Sequence, residues 1–129
     1  MVSVEQIMKK GPLKIHSAES VKTAAAMMAH HRVGSLLVQD DQGEVQGIVT
    51  ETDIVRKVTA ADLTPAGTMA AQVMSAPVIT IDRERSVAEA DELMDRHHTR
   101  HLAVTENSRI VGILSVRDLL HPIDEEHGA

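Results

Sequence analysis

Much of this 129-residue chain is written twice, and that repeat limits what it can fold into. Met8 aligns with Met74, Ser20-Val21 with Ser86-Val87, Ala24 with Ala90, Met28 with Met94, Leu36 with Leu102 and Val38 with Val104, each pair 66 residues apart. After the turn Asp40-Asp41-Gln42-Gly43 the offset falls to 65, because the second turn, Glu106-Asn107-Ser108, is one residue shorter. A unit of about 60 residues is marginal on its own. Two such units with exposed apolar faces are therefore expected to pack together with approximate two-fold symmetry. Aliphatic surface left over on the closing helices is expected to serve a homodimer.

Each copy reads alike. A short helix ends near the methionine (4–9; 70–74) and a brief extended segment follows (13–15; 78–81). A helix comes next (20–31; 86–97), with Val21, Ala24, Ala25 and Met28 on one face, matched by Val87, Ala90 and Met94. Ser86-Val87-Ala88-Glu89 reads as a capping box. Two strands joined by a turn follow (35–39 with 45–49; 101–105 with 110–114), and a last helix closes the copy (50–58; 115–121). Residues 59–68, with Pro65 and Gly67, read as a linker. The boundaries expected are 1–60 for the first unit, 61–69 for the linker, 70–121 for the second unit and 122–129 for a polar, frayed tail, whose acidic run Asp124-Glu125-Glu126 reads as solvated.

The most chemical stretch is also duplicated: Gly47-Ile48-Val49-Thr50-Glu51-Thr52-Asp53 and Gly112-Ile113-Leu114-Ser115-Val116-Arg117-Asp118. A buried strand runs into a hydroxyl placed where a helix begins, with a carboxylate three residues on. Locally this is a capping box with Asp in the Glu position. A helix start of this kind can also receive a phosphate, and the carboxylate can accept hydrogen bonds from two neighbouring hydroxyls, as on a ribose.

Composition narrows the classes. There is no Cys, hence no disulfide, thiolate nucleophile or thiolate metal site. A 43% hydrophobic content without Phe, Tyr or Trp requires a core of Val, Ile, Leu, Met and Ala. The net charge of −6 and the missing aromatic rings argue against nucleic acid as a partner. No signal peptide or membrane-spanning run is apparent, so a cytoplasmic protein away from the membrane is expected. No nucleophile elbow occurs, so no catalytic residues are expected. His30-His31 and His97-His98-Thr99-Arg100-His101 read first as solvated helix ends, with a metal site as the alternative.

The ordered set of Ile7-Met8 and Val73-Met74, Ser20-Val21 and Ser86-Val87, Gly34-Ser35-Leu36-Leu37-Val38, Thr99-Arg100-His101-Leu102-Ala103-Val104 and the two glycine-to-aspartate motifs resembles the cystathionine-beta-synthase (CBS) domain, present as a tandem pair or Bateman module. The resemblance implies an α+β fold of two β-α-β-β-α units with pseudo-two-fold symmetry. It implies a regulatory rather than enzymatic role for a stand-alone pair. An adenosine compound (AMP, ADP, ATP or S-adenosylmethionine) would bind in the cleft between units as regulatory ligand, with no cofactor, and a separate effector protein would receive the signal.

By position, one implied site uses Thr50 and Asp53 with Gly11, Pro12, Leu13, Gly34 and Ser35; the other uses Ser115 and Asp118 with Ala76, Pro77, Val78, Arg100 and His101. Arg100 makes the second the better phosphate site. Ala103 stands where the family often has proline. Three functional classes stay open at this level: a nucleotide sensor, a ligand-free interaction module and a metal-responsive binder using the histidines.

Overall fold

A computed structural model of the chain describes residues 1–120. The elements are α1 (Val4–Ile7), β1 (Lys9–Lys10), β2 (Lys14–His16), α2 (Val21–His31), β3 (Ser35–Gln39), β4 (Val45–Thr50), α3 (Glu51–Ile54), α4 (Ala70–Val73), β5 (Thr80–Asp82), α5 (Val87–His97), β6 (His101–Glu106), β7 (Arg109–Ser115) and α6 (Val116–Leu120). They form two compact units, one made of residues 13–78 and the other of 1–12 with the stretch from 79 onward. Each contains the expected β-α-β-β-α run: β2-α2-β3-β4-α3 in the middle unit and β5-α5-β6-β7-α6 in the outer one.

The long helices form where capping and periodicity coincide. Ser20 Oγ accepts from Thr23 N at 3.1 Å, and Ser86 Oγ accepts from Glu89 N at 3.1 Å while Glu89 accepts from Ser86 N. The faces Val21-Ala24-Met28 and Ala90-Met94 are buried. Both helices stop at a residue in the left-handed region, Arg32 (φ 56°) and His98 (φ 52°), whose N–H returns to the carbonyl of Met28 or Met94.

The two sheets share one plan. β2 runs parallel to β3 and β5 parallel to β6, while β3–β4 and β6–β7 are antiparallel hairpins. A bulge falls at equivalent places, Val38/Gln39 and Val104/Thr105. The change of offset from 66 to 65 lies in the hairpin turns. Asn107 and Ser108, both with positive φ, make the tight two-residue turn, whereas the first hairpin needs a longer turn with Gly43 at φ 80°.

The compact units differ from the contiguous repeats 1–60 and 70–121, because the leading segment of each copy is exchanged. In the outer unit Val4 and Ile7 of α1 join Ile81, Ala90, Met94, Leu102, Val104 and Leu114 in the core. Val4 N donates to Arg85 O (2.8 Å) and Glu5 N to Arg83 O (3.0 Å). β1 then pairs antiparallel with β7, Lys9 opposite Ile113. Arg83 ties this segment down by bridging Glu5 and Glu106, and these carboxylates, the hydrogen bond to Glu5 foremost, raise its pKa. In the middle unit α4 does the same: Ala70 and Val73 enter the core with Ile15, Leu36, Val38 and Val49, and Ser75 bridges Ile48.

The stretch expected as a linker, 61–69, is packed into the middle unit. Thr68 is buried, its hydroxyl donates to Thr64 O (2.8 Å) and its carbonyl accepts from Val21 N (2.8 Å); Pro65 opens a 3-10 turn over Pro65–Gly67. The expected last helix of the first copy, 50–58, changes at Val55 into a π-helical turn over Val55–Thr59. Its counterpart ends, among the described residues, at Leu120. His121 and the expected tail 122–129 lie outside the described residues.

Candidate functional site

The two duplicated motifs become two strand-to-helix junctions, one in each unit. In the middle unit β4 delivers Thr50 to the N-cap of α3. Thr50 Oγ1 accepts from Asp53 N (3.2 Å), and Asp53 Oδ2 accepts from Thr50 N (3.0 Å) and Thr50 Oγ1 (3.1 Å). That is the expected reciprocal box, with the shorter Asp in place of Glu. Asp53 is 5% exposed, and a buried carboxylate must satisfy its second oxygen too. Oδ1 accepts from Ser75 Oγ (3.0 Å) and pairs with Lys57 Nζ (2.9 Å), which also donates to Val73 O (3.0 Å).

In the outer unit β7 delivers Ser115. Ser115 N and Oγ donate to Asp118 Oδ2 at 2.8 and 3.1 Å. Asp118 Oδ1 pairs with Lys9 Nζ at 3.0 Å; the aspartate side chain is 3% exposed and the lysine 52%. Ser115 lies opposite His101 in the β6–β7 ladder, and Val116 N donates to the carbonyl of Arg100, whose side chain is exposed. The equivalent positions of the middle unit are Ser35, opposite Thr50, and Gly34, whose carbonyl accepts from Glu51 N. The two junctions therefore share a scaffold and differ in charge.

The units divide the expected site residues differently from the sequence. Thr50, Asp53, Leu13, Gly34, Ser35, Ala76, Pro77 and Val78 fall in the middle unit; Ser115, Asp118, Gly11, Pro12, Arg100 and His101 fall in the outer one. Gly11 and Pro12, assigned by position to the first motif, thus belong to the unit of the second, and Ala76, Pro77 and Val78 belong to the unit of the first. The cause is the exchange of leading segments, which carries each of these stretches into the other copy's unit. Both carboxylates, expected to face ribose hydroxyls, use Oδ2 for the cap and Oδ1 for an ion pair.

Sequence reasoning missed Lys9, Lys57 and Ser75. Lys9 and Ser75 are one repeat apart and each follows a repeat methionine, so a polar residue directly after Met8 and Met74 was the available signal. Lys57 stands four residues after Asp53, the spacing of a helical ion pair. Among the described residues no group of three or more His, Asp or Glu side chains converges as a metal site, and no helix is long and apolar enough to cross a membrane.

Paired β-α-β-β-α units, each ending at a strand-to-helix junction that joins a hydroxyl to a buried aspartate, define a tandem repeat module. The chain belongs to the CBS domain family, which matches residues 4–60 and again 70–125. It is 32% identical over 120 residues to an uncharacterised protein of Methanopyrus kandleri, covering 92% of this chain but only 61% of that relative's length. Among solved structures it resembles a CBS-domain protein of Burkholderia ambifaria attributed to signal transduction (29% identity, TM-score 0.89, 97% of this chain and 96% of that one). It also resembles Hypoxic Response Protein I, whose structure holds two coordinated zinc ions (28% identity, TM-score 0.77, 93% of this chain and 98% of that one).

Proposed function

We propose that this CBS pair is a sensor of adenine nucleotides of the AMP, ADP and ATP class, that the Ser115/Asp118 junction is its stronger phosphate site, and that it signals to a separate partner protein. The observation that supports this most is the charge difference between two otherwise matching junctions. Ser115 is flanked by His101 across the ladder and by Arg100 just before β6, while each junction holds one lysine–aspartate pair, Lys9–Asp118 and Lys57–Asp53. Thr50 has Ser35 and Gly34 in the equivalent places. A guanidinium can fork two hydrogen bonds onto a phosphate.

Titration calorimetry with AMP, ADP, ATP and S-adenosylmethionine on the wild type, Asp53→Ala, Asp118→Ala and Arg100→Ala tests it. Asp118→Ala is expected to weaken nucleotide binding more than Asp53→Ala. Arg100→Ala is expected to cost about ten-fold or more for phosphorylated ligands, as for a lost hydrogen bond to a charged group, and to leave adenosine nearly unchanged. Loss of binding in Asp53→Ala but not in Asp118→Ala reverses the ranking. No binding of any of the four at millimolar concentration favours a ligand-free interaction module.

The same reading includes a homodimer. Val55 and Leu120 stand at equivalent positions on the closing segments and are 60% and 70% exposed, which is apolar surface suited to a second copy. A monomer mass by light scattering at micromolar concentration counts against it.

A further inference from the structure

We propose that Lys9 is, beside Arg100, a second specificity-determining residue of the Ser115/Asp118 junction: it covers the aspartate when no ligand is bound and moves to a ligand's phosphate when a ribose hydroxyl takes its place. This rests on the nucleotide reading and assigns within it a residue that the repeat motif does not contain.

The constraint begins at Asp118. Its side chain is 3% exposed, so an ionised carboxylate there must keep both oxygens satisfied. Oδ2 is committed to Ser115 N and Oγ, contacts that also build the helix start. Oδ1 accepts from Lys9 Nζ at 3.0 Å. A ribose hydroxyl reaching this carboxylate therefore competes with an ammonium.

Lys9 can yield without being lost. Its backbone is fixed in the β1–β7 ladder opposite Ile113, two residues before Ser115, while its side chain is 52% exposed. Four carbons of flexible stem let the ammonium swing several ångströms from an anchored backbone. A hydroxyl arriving at Oδ1 restores the carboxylate's hydrogen bond, and the displaced cation remains beside Ser115, where the phosphate is expected. An unphosphorylated nucleoside would displace the cation from the carboxylate and supply no anion in return. A nucleotide supplies both halves of the exchange.

The middle unit is the internal contrast. The position equivalent to Lys9 is Ser75, which gives Asp53 Oδ1 a neutral hydroxyl at 3.0 Å. The cation there is Lys57, on the segment that follows the motif aspartate and also bonded to Val73 O. Asp53 Oδ1 thus keeps one partner if the other leaves. Among the described residues, Lys9 is the cation paired with Asp118.

The test is calorimetry of AMP and adenosine on the wild type, Lys9→Met and Lys9→Arg. Lys9→Met keeps the apolar stem and removes the charge. It is expected to bind AMP about ten-fold more weakly, the size of one charge-assisted hydrogen bond, and adenosine no more weakly than the wild type, because the competitor for Asp118 is gone. Equal losses for both ligands, or no loss for AMP, overturn the assignment of Lys9 while leaving the nucleotide reading intact. A wild type that binds neither ligand overturns both. If circular dichroism shows Lys9→Met unfolded, Lys9→Arg decides: a retained preference for AMP over adenosine supports the assignment, and a lost preference overturns it.

Discussion

A Cβ placed on Gly112 would lie 2.6 Å from Met8 Sδ and 2.8 Å from the carbonyl oxygen of Lys9; one on Gly47 would lie 2.8 Å from Met74 Sδ and 2.7 Å from the carbonyl oxygen of Ser75. The flexible thioether can give way, but the backbone oxygen cannot without moving the strand. The glycine that opens each motif is thus the seat of the leading segment exchanged into that unit. Gly112→Ala and Gly47→Ala are each expected to destabilise the fold by about 1–3 kcal/mol, as overpacked sites do, read as a lowered urea midpoint at unchanged slope. The hydroxyl–aspartate pair was legible because its hydrogen bonds span three residues, Thr50 to Asp53 and Ser115 to Asp118. Lys9 was not, since it reaches Asp118 across 109 residues of sequence and only through the exchange. Arg100 and His101 were legible as a guanidinium and an imidazole beside a strand start, which the pairing of β6 with β7 brings next to Ser115.

Among the elements, α2 and α5 carry their boundaries in the sequence: a serine cap, a buried face at helical spacing and a last turn ending in His30-His31 or Arg96-His97. Ser86→Ala should cost about 1 kcal/mol, the usual loss for an N-cap, and thermal unfolding would show it. His98→Gly should do the opposite. A left-handed residue other than glycine is held at a cost of about 1 kcal/mol, so glycine at φ 52° should raise the melting temperature. If it lowers it, the His98 side chain contributes more than its backbone strain costs. The π-helical turn over Val55–Thr59 had no such marker. Val-Arg-Lys-Val-Thr carries neither glycine nor proline, and only the tertiary setting, with Val58 fully buried in the core, distinguishes it from a continued α-helix.

For the molecule as a whole, repetition foretold two β-α-β-β-α units but not which leading helix completes which unit. Val4-Glu5-Gln6-Ile7 and Ala70-Ala71-Gln72-Val73 are both short amphipathic helices, and nothing local assigns either to its sheet. The linker followed the same logic: Thr64 to Thr68 looks like a spacer until its backbone is needed to cap α2. Ile7→Ala should therefore act far from its place in the sequence. A buried isoleucine truncated to alanine costs about 2–5 kcal/mol, and hydrogen exchange should show the lost protection in β6 and β7. Fast exchange confined to residues 1–12 would show instead that the segment is an ornament on a self-sufficient unit.

The exchange also gives the molecule an order in time. Residues 13–78 are continuous, so the middle unit has all its parts once Val78 has emerged from the ribosome. The outer unit does not: α1 is made before the middle unit, yet the sheet and helix that bury Val4 and Ile7 are made after it. At about 5–20 residues per second, α1 waits on the order of seconds, without its core partners, while the whole middle unit is synthesised. During growth the chain thus carries a completed middle unit beside an unpaired α1 and β1, and the outer unit closes only when the second copy of the motif arrives.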